Sequence, residues 1–596
     1  MSVLDRIERL RNVMEQQKID CYIIPTDDYH HSEYVGDYFK FREYITGFTG
    51  SAGTAVFTKD KAGLWTDGRY FIQAEAQLKG SGITLYKSGE SDVPTIEEFL
   101  KSELKEGDVL GFDGRTVTYA QGKRYCHIAD ENGASLKYSL DFAQNIWKER
   151  PEMSMESVFS LADEYTGEKI GSKLERIREI MKENGCNAHV LSSLDDIAWL
   201  LNIRGNDIAY CPLVLSYAIV YNNSVELFAD IRKFSDDIIN LLAENQVKIY
   251  PYEDIYRKVS EMTSEDKLLL DSAIMNYSLY QAISKETVIV DKQNPEILMK
   301  SVKNETQAAN LRKAHLKDAV AHTKFMYWLK KNIGRVEITE LSASARLEGL
   351  RAEQEHFLGP SFGPISAYGE HGAIVHYSAD EKSNVPLKEG KLFMTDTGGH
   401  YLEGSTDITR TVALGEVGDI EKEHFTLVAR AMLRLANTVF LYGCSGANLD
   451  CIAREVFWKE GLNFNHGTGH GVGYLLNIHE GPINFRWKEG ERPAPALEEN
   501  MVITDEPGIY IEGSHGIRLE NELLVRKTVK NEYGQFMNFE ILTYVPIDLD
   551  AILPEKMSTE EKEMLNHYHK QVYEKVSPYL SEEERIWLKE YTRAVK

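Results

Sequence analysis

The chain has 596 residues, with 42% hydrophobic and 10% aromatic residues and a formal net charge of −25 at pH 7. This length exceeds what one hydrophobic core supports, and it predicts roughly three or four domains. The acidic residues are spread along the chain, which argues against nucleic acid or an anionic membrane as a partner.

The N-terminal sequence and the use of cysteine indicate a cytoplasmic protein. Residues 1–17, MSVLDRIERLRNVMEQQ, predict a charged amphipathic helix rather than a signal peptide. None of the six cysteines forms a C-x-x-C pair, which is typical of reduced thiols. The longest apolar stretch, residues 210–221, is too short to span a bilayer and predicts a buried strand.

An internal repeat predicts two related domains at the start of the chain. Residues 8–14 read ERLRNVM and residues 175–181 read ERIREIM, an offset of 175 − 8 = 167 residues. In each copy an amphipathic helix, a polar turn and a short apolar strand follow one another. We expect related helix–strand domains at 1–152 and 153–299; the alternative is chance similarity between two amphipathic helices.

The remaining residues, 300–596, form the third predicted domain. Their segment 357–525 is rich in Gly, His, Asp and Glu and alternates like strands, so chemistry is expected there. A C-terminal extension from about 550 to 596 contains two helices with capping boxes, for which we expect a structural and not a catalytic role. The predicted fold class is therefore α/β (α+β).

Two predicted hairpins in this third domain each bring two carboxylates together. In the first, one strand ends at Asp396 and the next begins near Asp407, 11 residues later. In the second, Glu506 ends a strand and Glu520 lies in the return strand, on the same side as Arg518. Strands joined in this way are expected to place each pair of acids across from one another on one face.

Opposed carboxylates repel each other unless a cation lies between them. Between the two hairpins, the glycine-rich segment 465–473 presents histidines. Any one of these acids could be a solvated surface charge. Four carboxylates and an imidazole together favour manganese or similar oxygen-preferring divalent ions over a cysteine zinc site, and bridging carboxylates allow two ions about 3.5–4 Å apart.

Seven short motifs resemble those of the pita-bread metallopeptidases: GAIVHY (372–377), TDTGG (395–399), STDITRT (405–411), HGTGHGVG (466–473), HEGP (479–482), TDEPGIY (504–510) and GIRLEN (516–521). Within this family the plan resembles the long, three-domain, cytosolic form of aminopeptidase P. The first domain also matches, at GFTGSAGT (47–54) and TDGRY (66–70). The resemblance implies two creatinase-like domains before a pita-bread catalytic domain.

The resemblance also implies the activity and the ligands. The activity is hydrolysis of the N-terminal Xaa-Pro bond of peptides by a dimanganese enzyme, in which a metal-bridged water or hydroxide is the nucleophile. Asp407 and Glu520 are expected to bridge both ions. The implied metal ligands are Asp396, Asp407, His470, Glu506 and Glu520.

Further roles follow from the same resemblance. Glu506 is expected to act as general base, and His376 and His479 to position the scissile carbonyl and stabilise the tetrahedral intermediate. A homodimer is expected. The candidate substrate-binding residues are His466, Arg69 and Arg518, although Arg518 could equally be a structural ion pair and Arg69 a solvated surface charge.

One departure from the family pattern is Ile509, where an aromatic residue is common. Two other functions stay open from the sequence. A prolidase-type dipeptidase shares the catalytic motifs, but the additional N-terminal domain argues against it. A non-catalytic pita-bread binding module, or a metal-free amidinohydrolase, predicts gaps among the five ligand positions, and the sequence has none. The preference for proline rests on the resemblance alone.

Overall fold

The computed structural model describes residues 1–488, 490 and 492–596. The chain separates into two compact units. Unit 1 comprises Met1–Leu161 and Glu168–Glu296, and unit 2 comprises Ala162–Gly167 and Ile297–Lys596. In the described part of the chain, no helix has the length and apolar character needed to cross a membrane.

Unit 1 contains two six-stranded sheets with the same strand order. In both sheets the first strand in sequence is central, antiparallel to the second and parallel to the fifth. The first sheet, from edge to edge, is Thr84–Lys87, Ala62–Thr66, Thr54–Thr58, Cys21–Pro25, Val109–Phe112 and Ser135–Lys137. The second sheet is Val247–Tyr250, Val225–Phe228, Tyr217–Tyr221, Ala188–Leu191, Lys267–Leu270 and Val288–Asp291.

A helix precedes the central strand in each copy, Val3–Gln17 in the first and Ile170–Glu183 in the second. The first helix begins after Ser2, which forms a capping box with Asp5. The helices bury corresponding positions, 7, 10 and 14 in one and 174, 177 and 181 in the other, each pair again 167 residues apart. The predicted fold class, with two related helix–strand domains before the catalytic domain, is confirmed.

The other helices and strands complete the two units. The remaining α-helices before residue 302 are Phe41–Thr46, Phe71–Gln77, Ile96–Glu103, Tyr119–Glu131, Ala143–Ile146, Asp163–Thr166, Leu194–Leu200, Asp236–Glu244, Asp254–Ser260, Tyr277–Ala282 and Pro295–Ser301. A short antiparallel pair joins Phe159–Ser160 to Ile203–Arg204. Single-turn 3-10 helices are Asp37–Phe39, Ile231–Lys233, Gly369–Ala373, Leu549–Ala551, Pro554–Lys556 and Ser577–Tyr579.

Unit 2 packs helices and several small antiparallel sheets around an extensive hydrophobic core, beside a smaller cluster of Ile365, Ala367, Tyr377 and Met394. Its later α-helices are Glu305–Asn332, Glu340–Ala352, Asp419–Ala436, Gly446–Trp458, Thr559–Val576 and Glu582–Tyr591. Its strands are Phe357–Pro360, Ile365–Tyr368, Lys391–Thr397, Gly399–Tyr401, Gly404–Ser405, Ile408–Leu414, Phe440–Leu441, Gly469–His470, Asn484–Phe485, Val502–Asp505, Gly508–Ile511, His515–Arg518, Asn521–Asn531 and Gly534–Ile541.

Candidate metal centre

The first pair of acids lies at the end of the strand pair Lys391–Thr397 and Ile408–Leu414. Asp396 is directly opposite Thr409, and Asp407 immediately precedes the second strand. The expectation that Asp396 and Asp407 lie across from one another in register is therefore wrong by two residues. Strand alternation still places Asp407 on the same side as Thr409, so the acids remain diagonal neighbours, 8% and 4% exposed.

The second pair of acids interrupts a long hairpin. Asp505 pairs with Asn521, and Gly508 pairs with Arg518 in the same register. This register sets Glu506 opposite Glu520, as the sequence predicts. Glu520 is 1% exposed, and its Oε2 accepts a hydrogen bond of 2.8 Å from the Thr409 hydroxyl.

The glycine-rich loop brings the imidazole to these acids. A Cβ atom at Gly469 would lie 1.8 Å from the carbonyl oxygen of Thr504, so only glycine lets the loop lie against the strand that leads to Glu506. His470 Nε2 is 3.5 Å from Asp407 Oδ2 and 3.5 Å from Glu506 Oε1. Ligand atoms of Asp407, His470 and Glu520 lie within 4.8 Å of one another.

The electrostatics of the cluster favour a bound cation. Burial, followed by the charge of Asp407, raises the pKa of Glu520 well above its ordinary value. Burial also raises the pKa values of Asp396 and Glu506, and repulsion by Asp407 adds to both shifts. Although burial opposes protonation of His470, its bond to Asp407 and the charge of Glu506 raise its pKa to about 9.

The donor atoms fit divalent metal ions. Asp396 Oδ1 is buried and has no hydrogen-bond partner among the described residues. A buried carboxylate oxygen left in this way is costly unless something outside the chain meets it. Carboxylate oxygens with one imidazole suit hard divalent ions, so the residues present match the group that the sequence implies.

Arg518 connects the acids to a hydrogen-bonded chain. Its guanidinium donates two hydrogen bonds to Asp396 Oδ2, from Nε at 3.1 Å and from Nη2 at 2.5 Å. Its Nη1 donates to the Tyr510 hydroxyl at 2.6 Å. The same hydroxyl is 2.8 Å from His466 Nε2. Burial, with repulsion by Arg518, lowers the pKa of His466 to about 3, so this imidazole is neutral. The contacts of Arg518 are those of an ion pair that orients an acid.

The two other candidate imidazoles lie on segments that pack against the site. A Cβ atom at Gly516 would lie 1.6 Å from the carbonyl oxygen of Gly372, so the backbones on either side of this contact approach closely. His376 lies four residues after Gly372. The residue before it, Val375, accepts a hydrogen bond of 3.3 Å from Arg518 through its backbone carbonyl. The ring of His479 stands edge-on to that of His470, with centroids 4.2 Å apart.

Two further residues singled out from the sequence, Arg69 and Ile509, lie outside the ligand cluster. Arg69 belongs to unit 1, where Nε and Nη2 each donate to Asp67 at 2.8 Å, and its role in substrate binding stays a prediction. Ile509 is buried and pairs with Ile517 in the second hairpin.

The sequence interpretation missed the contacts of three residues: Thr409 and Glu522 with proposed ligands, and Tyr510 with Arg518. Thr409 could have been predicted, because it follows Asp407 by two positions on an alternating strand and so lies on the same face. Tyr510 lay in a matched motif, but its role depends on where Arg518 points. Glu522 is expected by strand alternation to share a side with Arg518 and Glu520, but its contact with Asp407 was not predicted: it is fully buried, and its Oε1 accepts a bond of 2.6 Å from the Asp407 backbone N–H.

Family models match four successive parts of the chain. The matches are Creatinase/Prolidase N-terminal domain (6–137 and 149–307), Metallopeptidase family M24 (309–527) and C-terminal region of peptidase_M24 (535–595). Among curated relatives, Xaa-Pro aminopeptidase 1 of Dictyostelium discoideum is 36% identical over 97% of this chain and 94% of its own length. Aminopeptidase P1 of Arabidopsis thaliana is 34% identical over 99% of both chains.

Solved structures show the same similarity. The X-prolyl aminopeptidase from Caenorhabditis elegans, described as a cytosolic enzyme with a di-nuclear active site, is 33% identical, and the similarity covers 100% of both chains with a TM-score of 0.95. The Xaa-Pro dipeptidase from Bacillus anthracis is 25% identical with a TM-score of 0.51, covering 99% of that chain but 64% of this one.

Proposed function

Because this chain belongs to metallopeptidase family M24, we propose that it is an aminopeptidase that removes the N-terminal residue from peptides with proline in second position. The observation that carries the proposal is the buried cluster in unit 2, where ligand atoms of Asp407, His470 and Glu520 lie within 4.8 Å. The full-length similarity to Xaa-Pro aminopeptidases supports the choice of substrate.

The proposed cofactor is a pair of divalent ions, most simply Mn²⁺. Such ions, when bound, lower the pKa of water toward neutrality and polarise a carbonyl. The oxygen-rich donor set and the di-nuclear active site of the C. elegans enzyme support this choice. The residues proposed to hold the ions are Asp396, Asp407, His470, Glu506 and Glu520.

The side chains around the ions have the other proposed roles in proton transfer, carbonyl binding and ligand orientation. Glu506 is the proposed general base: a carboxylate oxygen accepts the proton of the attacking water and then passes it to the leaving nitrogen. Glu506 is suited to this role because its Oε1 lies at the candidate metal centre, 3.5 Å from His470 Nε2. His376 and His479 are proposed to donate to the scissile carbonyl oxygen. Arg518 orients Asp396 through two hydrogen bonds.

The alternatives have less support. The B. anthracis dipeptidase corresponds to 64% of this chain, whereas the aminopeptidases correspond to nearly all of it. A binding module without catalysis has no need for five acid and imidazole groups gathered at a buried site.

Two properties beyond the chemistry are also proposed. The description of the C. elegans enzyme as cytosolic supports a cytoplasmic location. A homodimer is supported by an exposed aromatic pair, Trp458 and Trp487, which are 42% and 46% exposed with ring centroids 5.8 Å apart. Light scattering of the purified protein measures the mass directly, and a monomeric mass at micromolar concentration would refute the dimer.

A metal-depletion assay tests the proposed function. The chelated and desalted protein is assayed on matched Xaa-Pro-Xaa and Xaa-Ala-Xaa peptides, with Mn²⁺, Co²⁺ or Zn²⁺ added back separately. We expect no turnover without metal, highest turnover with Mn²⁺, and cleavage of the proline peptide only. Cleavage restricted to Xaa-Pro dipeptides would indicate a prolidase, and full activity after depletion would refute the metal centre.

A further inference from the structure

The C-terminal extension contacts the ligand-bearing strands through Tyr568, whose hydroxyl bonds to Arg410 and lies 3.3 Å from Oδ1 of Asn521, the residue after Glu520. Arg410 lies on the strand Ile408–Leu414, three residues after Asp407, and is fully buried. Tyr568 lies on the helix Thr559–Val576 of the extension and is 1% exposed. From the sequence we expect only a structural role for this extension, and its contact with the ligand-bearing strands is not predicted there.

The guanidinium of Arg410 links three segments of unit 2. From Nη1 it donates to the backbone carbonyl of the proposed ligand Glu520 at 2.5 Å and to that of Thr409 at 2.8 Å. From Nη2 it donates to the Tyr568 hydroxyl at 2.7 Å and to the Val545 carbonyl at 2.8 Å.

The Tyr568 hydroxyl completes this arrangement. It accepts the bond from Arg410 and donates to the Val545 carbonyl at 2.6 Å. Guanidinium donors have a fixed planar geometry, so the partners on one side restrict the orientation of the bonds on the other. The hydroxyl therefore helps to fix the direction from which Arg410 holds the Glu520 backbone.

The position of Glu520 depends on the same strand at a second point. Its carboxylate accepts a bond of 2.8 Å from the Thr409 hydroxyl, and Arg410 also holds the Thr409 carbonyl. The backbone and the side chain of Glu520 are thus both positioned by the 409–410 segment. A small rotation of the guanidinium would move a proposed metal ligand, although no residue of the extension touches that ligand's carboxylate in the described part of the chain.

We propose that Tyr568 is a positioning residue for the metal centre, which acts through Arg410 on Glu520 and so makes metal affinity depend on the C-terminal extension. The proposal rests on the proposed metal site. It predicts a specific weakening of metal binding when the hydroxyl alone is removed.

The test compares Tyr568→Phe with the matched variant Tyr591→Phe. The Tyr591 hydroxyl also belongs to the extension and donates to Asp550 at 2.9 Å, but it is not a partner of Arg410 among the described residues. Calorimetric titration of the metal-depleted proteins with Mn²⁺, well below their melting temperatures, gives the dissociation constants. We expect Tyr568→Phe to bind Mn²⁺ about tenfold more weakly, the scale of one hydrogen bond to a charged group, and Tyr591→Phe to match the wild type.

Two further measurements distinguish positioning from general destabilisation. Saturating Mn²⁺ should restore most of kcat in Tyr568→Phe, and the paramagnetic resonance spectrum of its Mn²⁺-loaded form should differ from that of the wild type. A lower melting temperature with an unchanged dissociation constant would overturn the proposal and leave Tyr568 with a structural role. If the wild type itself binds no Mn²⁺, the metal site fails instead.

Discussion

Replacement of Asp407 by asparagine should separate the free energy of metal binding from the repulsion among the buried acids. Asp407 stands at the centre of the cluster, near both His470 and Glu520. Asparagine keeps the size of the side chain and removes its charge. With metal present the change removes a proposed metal ligand, whereas without metal it removes a source of repulsion. We therefore expect the change to lower the free energy of unfolding when metal is bound, and to leave it unchanged or raise it when metal is absent.

The structure sets the size of the repulsion. Two unit charges that are 4.8 Å apart, the limiting separation within the cluster, repel by about 3 kcal/mol at an effective dielectric constant of about 20. Partial protonation of the acids and the lost attraction between Asp407 and His470 reduce this figure. The metal-free variant should therefore have a free energy of unfolding equal to that of the wild type or higher by an amount on the order of 3 kcal/mol.

Thermal melting with and without metal measures both effects. At a metal concentration 100-fold above Kd, the wild type gains about 2.7 kcal/mol from binding, and the variant should lose most of this gain together with its turnover. Metal content is checked by mass spectrometry. Asp548→Asn is the control, because Asp548 is fully buried and paired with Lys330 at 2.6 Å. That change should destabilise the protein with or without metal, by about 3 kcal/mol.

Two outcomes would refute the reasoning. Near-normal activity with full metal content would remove Asp407 from the site. A metal-free Asp407→Asn protein as strongly destabilised as Asp548→Asn would show that the attraction between Asp407 and His470 outweighs the repulsion among the acids, contrary to the reasoning above.

Three other predictions concern the imidazoles and the substrate. His376→Ala should keep its metal but lose about 10²–10³-fold in kcat, the cost of one donor to the reacting carbonyl; metal loss in step with activity would make it a ligand. In metal-free protein, the His470 pKa of about 9 exceeds its ordinary 6.5, so its stabilisation is complete below pH 6.5 and is lost as pH rises through 9. Melting curves from pH 6 to 10 should fall more steeply in the wild type than in His470→Gln, where only groups other than this imidazole, such as the buried acids with raised pKa values, contribute to the decline. Acetylation of the substrate N-terminus should suppress hydrolysis, and equal rates on free and acetylated peptides would contradict anchoring by the free amine.

The sequence indicated which side chains lie close together better than it indicated their register, and their roles as metal ligands stay predictions. Asp396, Asp407, Glu506 and Glu520 were selected as candidates because each ends or interrupts a strand, and local alternation indicates that position. Asp396 was expected opposite Asp407 but lies opposite Thr409, two residues further on, because the register depends on the turn between the strands and not on the pattern within them.

Long-range contacts account for the rest. Arg410 was visible in the sequence only as part of a motif, and Tyr568 as one residue on an amphipathic helix. Their contact joins positions 158 residues apart, and no local pattern reports such a pair. The same holds for Glu522, which sits beneath Asp407 only because two distant strands meet in unit 2.

The two six-stranded sheets of unit 1 preserve a record of how the chain arose. Their common strand order, and buried helix positions that recur 167 residues apart, are the pattern that tandem duplication of an ancestral gene segment leaves. Asp67 and Arg69, after the third strand of the first sheet, recur as Asp230 and Arg232 after the third strand of the second, and in each copy the arginine donates to the aspartate. The GFTGSAGT motif, which leads into the second strand at Thr54, has no counterpart at 210–217, which reads YCPLVLSY. The copies have therefore diverged between the first and second strands while keeping a common framework. Chimaeras that exchange the helix and central strand between copies should fold more readily than chimaeras that exchange the segment between the first and second strands.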